Sequence, residues 1–174
     1  MQNRLPKIIE PLHLADKRGE LHGQLPLKDL TRLCEKLVDN AGFVDVNLYF
    51  GREGRLAKIE GNLEVTLLLE CQNCLQGVEL KVNNEVKLGI ATTFEQVDRL
   101  PPDYEPLLLE EETLPLSLLV EDELLLNLLD YPKHEHDCII KRATQKLAVA
   151  FDETTLKKPN PFSVLAHLKS TGES

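Results

Sequence analysis

The chain has 174 residues, enough for one domain with appendages. At 42% hydrophobic and 28% charged residues it can bury a core, which excludes a wholly disordered protein. A net charge of -9 and a pI near 5.1 weigh against a domain that grips nucleic acid over its whole surface; they suit a partner with a basic surface and leave room only for a local basic face.

Trp is absent and aromatics make up 5%, so the core must be mostly Leu and Val, and platforms for stacking bases are scarce. Residues Leu5 to Leu14 read as an extended opening segment. Pro26 then suits the first position of a helix over Leu27–Val38, in which Leu27, Leu30, Leu33, Cys34, Leu37 and Val38 form one apolar stripe and Asn40-Ala41-Gly42 supplies the stop. Cys34 lies on that stripe and reads as a small buried hydrophobe. Val44, Val46, Leu48 and Phe50 alternate with polar neighbours as a half-buried strand, and Gly51-Arg52-Glu53-Gly54 is a turn. Leu56 to Leu69 is a second strand, with Gly61 as a bend point. After Cys71-Gln72-Asn73-Cys74, the alternation resumes through Val78, Leu80, Val82, Val86 and Leu88, with Asn83-Asn84 marking a bulge or turn. Three successive antiparallel strands therefore place the CxxC at a hairpin tip.

Glu95 to Pro106 is polar and proline-containing, hence a loop, and Leu107-Leu108-Leu109 is a short strand. A helix over Leu116–Leu129 is apolar around nearly its whole circumference, so it is buried on most sides or docks on a partner; Glu121-Asp122-Glu123 marks its wettest side. Beyond it, residues 139–158 carry Lys141, Arg142, Lys146, Lys157 and Lys158 against only Asp152 and Glu153, and read as a basic flexible connector. Residues 159–174 form a short C-terminal docking helix and tail. Asn160 is its N-cap, Pro161 its first residue, and Phe162, Val164, Leu165 and Leu168 its apolar side. It is too short to be stable unless docked. Residues 1–138 form a single domain. The expected fold is α+β: a mainly antiparallel curved sheet covered by the Leu27–Val38 and Leu116–Leu129 helices.

The chemistry lies in Cys71, Cys74, His134 and Cys138. Thiolates are soft anionic ligands, and a two-residue spacer lets a turn aim both sulfurs at one ion. The His-x3-Cys spacing offers an imidazole and a thiolate together. This is the ligand set of a structural zinc, making a knuckle-like clasp between the hairpin and the segment after the second helix. His136 could replace His134, although His-x-Cys is a tighter bite. The plain alternative is a set of reduced thiols in a turn, without metal. A redox CxxC is disfavoured because strands flank the pair, and no helix N-terminus is available to lower a thiol pKa. Glu110-Glu111-Glu112 and Glu121-Asp122-Glu123 read as solvated faces, or as docking surfaces for a basic partner protein. His13, His22 and His167 are isolated packing or surface residues. The opening Met1-Gln2-Asn3-Arg4-Leu5-Pro6 has no charged-then-apolar leader, and no apolar run approaches about 18 residues, so a cytoplasmic protein is expected.

The chain resembles the YceD family. The resemblance is carried by Leu69-Glu70-Cys71-Gln72-Asn73-Cys74, Leu100-Pro101-Pro102-Asp103-Tyr104-Glu105-Pro106 and Val120-Glu121-Asp122-Glu123-Leu124. It continues in Pro132-Lys133-His134 with Cys138, and in the ending Lys158-Pro159-Asn160-Pro161-Phe162-Ser163-Val164-Leu165-Ala166-His167-Leu168-Lys169. Where family members often carry a second pair of cysteines, this chain has His134 and Cys138. The resemblance implies a non-enzymatic cytoplasmic factor in 23S rRNA synthesis, processing or stability and in large-subunit biogenesis. Its implied partner is a ribosomal protein or large-subunit precursor, with rRNA contacted directly or through protein. The competing class is a thiol- or metal-dependent enzyme acting on rRNA.

Overall fold

A computed structural model describes residues 5–136 and Cys138; the expected connector (139–158) and terminal helix (159–174) lie outside the described residues. The chain opens with a short strand, β1 (Ile8–Ile9), and a helix, α1 (Pro11–Lys17). The expected extended opening is therefore corrected beyond Ile9. Pro11 takes the first helical turn, where its missing N–H costs nothing, and Pro11 and Ala15 share the buried side.

Strand β2 (Glu20–Pro26) leads through a 3-10 turn at Leu27–Asp29 into a single-turn helix, α2 (Thr31–Cys34), and then strand β3 (Leu37–Asp39). The single helix expected over Leu27–Val38 is thus corrected. The first half of its stripe is real, since Leu27, Leu30 and Leu33 are fully buried, but Cys34 and Leu37 are half-buried and Val38 is exposed. Tertiary pairing overrides helical continuity, because Pro26 stays in the sheet opposite Phe43 and Leu37 pairs with Leu69.

The long strands β4 (Phe43–Glu53), β5 (Leu56–Glu70) and β6 (Gly77–Ala91) form the expected antiparallel meander. Gly61 is not a bend. It stays in register between Leu48 and Val86, and a Cβ there would collide with the carbonyl oxygen of Asn47. Nor do Asn83 and Asn84 break β6; they pair in sequence with Glu64 and Leu63. The expected loop over Glu95–Pro106 holds a short helix, α3 (Phe94–Val97), and the start of β7 (Glu105–Leu108), which joins β6 in parallel. Strand β8 (Leu114–Pro115) pairs with β1 and feeds helix α4 (Leu116–Leu126). The result is an α+β fold with a mainly antiparallel open sheet in the order β2-β4-β5-β6-β7, with β3 paired to β5. Among the described residues no helix is long and apolar enough to cross a membrane.

One sheet face carries the core. Val46, Leu48 and Phe50 from β4 pack with Ile59, Leu63 and Leu67 from β5 and with Val86 and Leu88 from β6. Leu116, Leu119, Val120 and Leu124 of α4 join them, each buried side chain stabilising by about 1.5–3 kcal/mol.

The acidic triplet of α4 is a further correction. Glu121 is 5% exposed and Glu123 8%, whereas Leu126, expected to be covered, is 73% exposed. Glu121 accepts from the Leu33 amide at 3.1 Å and from Arg32 Nε at 3.0 Å, while Glu123 accepts from Asn84 Nδ2 at 3.1 Å. Burying a carboxylate is tolerable only with such partners. Burial pushes the Glu123 carboxyl above its ordinary range, against the opposing pull of the Asn84 bond. A raised folded-state value makes its contribution greatest below the unfolded pKa of about 4.3 and diminishes it as pH rises through the folded value. Glu123→Gln keeps an acceptor for Asn84 without a charge. It is therefore expected to melt above the parent at pH 7 and level with it below about pH 4, by circular dichroism. A parent that melts higher at pH 7 would refute this.

Candidate metal centre

The β5–β6 hairpin ends in a turn built on Cys71. The Cys71 amide donates to the Gln76 carbonyl at 2.8 Å, and the Leu75 amide to the Cys71 carbonyl at 2.8 Å. Leu75 sits in the left-handed region, φ 59°, which turns the chain back towards Gly77. Beyond α4, the Pro132 carbonyl accepts from the Gln72 amide at 3.0 Å and so stitches the downstream segment to the hairpin tip.

That stitch brings Cys71, Cys74, His134 and Cys138 together. Their ligand atoms all lie within 4.8 Å of one another. Cys71 Sγ is 3.6 Å from Cys138 Sγ, and Cys74 Sγ is 3.5 Å from His134 Nδ1. Four ligands about 2.3 Å from a tetrahedral ion stand about 3.8 Å apart, so the residues fit a zinc-sized cation. His134 Nε2 donates to the Gly77 carbonyl at 3.0 Å, which leaves Nδ1 free to ligate and fixes the ring. His136 lies beside His134, ring centroids 4.8 Å apart and the planes tilted by 37°, but is outside the cluster. Cys34 is also outside it; its thiol donates to the Leu27 carbonyl at 3.1 Å.

The electrostatics suit a cation. Burial alone would raise the Cys71 thiol, but the backbone amides of Cys74, Asn73 and His134 and the Cys138 thiol outweigh it and hold Cys71 at about 5. Burial, together with the sulfurs of Cys71 and Cys74, pushes Cys138 up to about 11. Amide donors thus favour a thiolate on Cys71, the form in which sulfur binds a cation, and a bound divalent ion would favour the thiolate on Cys138 too. The supporting carbonyls of Gly77 and Pro132 were invisible to residue patterns, because backbone groups carry no side-chain signature.

Fold and cluster together define an open-sheet α+β protein whose hairpin tip and downstream segment share a Cys3His set able to take a metal ion. The family model described as "Large ribosomal RNA subunit accumulation protein YceD" matches residues 59–169, and the chain belongs to this family. A Haemophilus influenzae (strain ATCC 51907 / DSM 11121 / KW20 / Rd) protein of the same name is 32% identical over 168 residues, covering 95% of this chain and 97% of the relative. No solved structure matches the chain.

Proposed function

We propose that this chain is a non-enzymatic factor in 23S rRNA synthesis, processing or stability, and so in large-subunit biogenesis. The observation that carries the reading is its likeness, over 95% of its length, to a protein named for large ribosomal RNA subunit accumulation. The cluster supports a scaffold role. Cys71, Cys74, His134 and Cys138 would hold a zinc ion with all four tetrahedral positions taken by protein, leaving none for a catalytic water. A bound zinc would supply a cross-link between the hairpin and the segment after α4. The chain's own residues would hold a ribosomal protein or large-subunit precursor in the cytoplasm, with 139–158 and 159–174 as a basic connector and docking helix beyond the 1–138 domain. Depleting the protein from cells is expected to lower 23S rRNA and large-subunit levels in sucrose gradients. Unchanged levels of both would end this reading.

A further inference from the structure

Far along β5 from the metal centre, on the order of 45 Å by strand length, the β4–β5 turn meets the segment between α3 and β7. A cleft of about 940 Å³ lies there, with Arg52, Arg55, Arg99 and Tyr104 around it and Leu56 and Ile90 among its apolar lining. Its size is at the upper end of the ~300–1,000 Å³ range of small-ligand sites.

The charge around this cleft is unlike that of the chain. The described residues hold five arginines (Arg18, Arg32, Arg52, Arg55 and Arg99), and three of them line this one cleft in a protein of net charge -9. Two carboxylates, Glu53 and Asp103, also line the cleft, and Asp16 lies beside it; Asp16 and Glu53 are engaged in ion pairs, and Asp103 forms none among the described residues. Asp16 pairs with Arg52 at 2.7 Å, and Glu53 with Lys58 at 3.2 Å, while Asp103 lies close enough to Lys87 to raise its pKa. Arg55 and Arg99 are exposed and have no carboxylate partner among the described residues. Two open guanidiniums select a ligand with repeated anionic groups, and guanidinium geometry matches phosphate. The apolar lining and the one aromatic add a demand for a flat, unpaired ring. Tyr104 is held in place through its hydroxyl, which donates to Glu60 Oε1 at 2.6 Å and accepts from Lys58 Nζ at 3.0 Å. Phosphates joined to exposed flat rings describe single-stranded RNA, whose bases are free of the duplex stack.

We infer that this cleft binds a short stretch of single-stranded RNA, with Arg55 and Arg99 on successive phosphates and a base against Tyr104. The inference rests on the proposed role in 23S rRNA accumulation and gives that role a direct RNA contact, at a cleft that gathers three of the five arginines among the described residues. Fluorescence anisotropy with the full chain and a labelled short single-stranded RNA tests it. At about 50 mM salt the double variant Arg55→Ala/Arg99→Ala is expected to bind at least about tenfold more weakly, with a log–log salt slope shallower by about 1.4. Arg99→Glu alone is a second variant expected to weaken binding, and because both side chains are exposed, melting temperatures should match the parent. A duplex RNA of the same length is expected to bind less tightly. Variants that bind as the parent does, a parent that binds no RNA at low salt, or equal affinity for the duplex would each overturn the inference. The cellular depletion measurement reads the functional proposal separately: lowered 23S rRNA with variants that bind normally removes the cleft alone, and unchanged 23S rRNA with weakened variants removes the functional proposal alone.

Discussion

Protein purified without chelator is expected to contain about one zinc per chain, and Cys138→Ser is expected to lose it and to melt lower by about 10 °C or more. The reason is topological. The cluster joins Cys74 to His134 across 60 residues of chain and Cys71 to Cys138 across 67. No such site exists in an unfolded chain, so the free energy of metal binding is delivered to folding. A strong chelator should reproduce the variant's melting curve in the parent and leave the variant's own curve unmoved. Cys34→Ser is the control. That thiol stands outside the cluster and bonds a carbonyl that a hydroxyl can also reach, so metal content should be unchanged. Elemental analysis and thermal melts check both outcomes, and a metal-free parent melting with Cys138→Ser would remove the clasp.

Glu121→Ala is expected to destabilise the protein by about 3 kcal/mol, the largest effect of any acidic substitution on α4. The carboxylate satisfies the buried Leu33 amide, and truncation leaves that donor without a partner, a loss of about 1–3 kcal/mol before the bond to Arg32 is considered. Glu121→Gln restores an acceptor for the amide and should recover much of the loss. Arg32→Ala should cost less than Glu121→Ala, because the guanidinium is half exposed and also pairs with Asp122. Urea unfolding of the three variants separates these contributions. A Glu121→Ala variant as stable as the parent would mean that the amide finds another partner.

Period-two alternation made β4, β5 and β6 readable, since each strand buries one face along nearly its whole length. The Cys/His cluster was readable because thiol and imidazole spacing is local on each side, and only the convergence needed the fold. What escaped was set by distant partners. Glu121 looked solvated because its partner Arg32 lies 89 residues upstream, and Glu123 because Asn84 lies 39 residues away. The stripe Leu27–Val38 suggested one helix because Leu27, Leu30 and Leu33 are buried and Leu37 is partly so. The break at Leu30, φ −104° and ψ 83°, comes from sheet pairing on both sides that no local pattern announces. The parallel placement of β7 was equally hidden, as hydrophobic runs do not report strand direction.

The bond from the Leu33 amide to Glu121 also orders events during translation. Its acceptor is synthesised 88 residues after its donor, a delay of roughly 4–18 s at about 5–20 residues per second. Over that interval Leu30 and Leu33 emerge on the nascent chain with no α4 to cover them, while the β4–β6 meander can already pair. The segment around Leu30 and Leu33 therefore stays uncovered, and open to aggregation, until α4 leaves the exit tunnel.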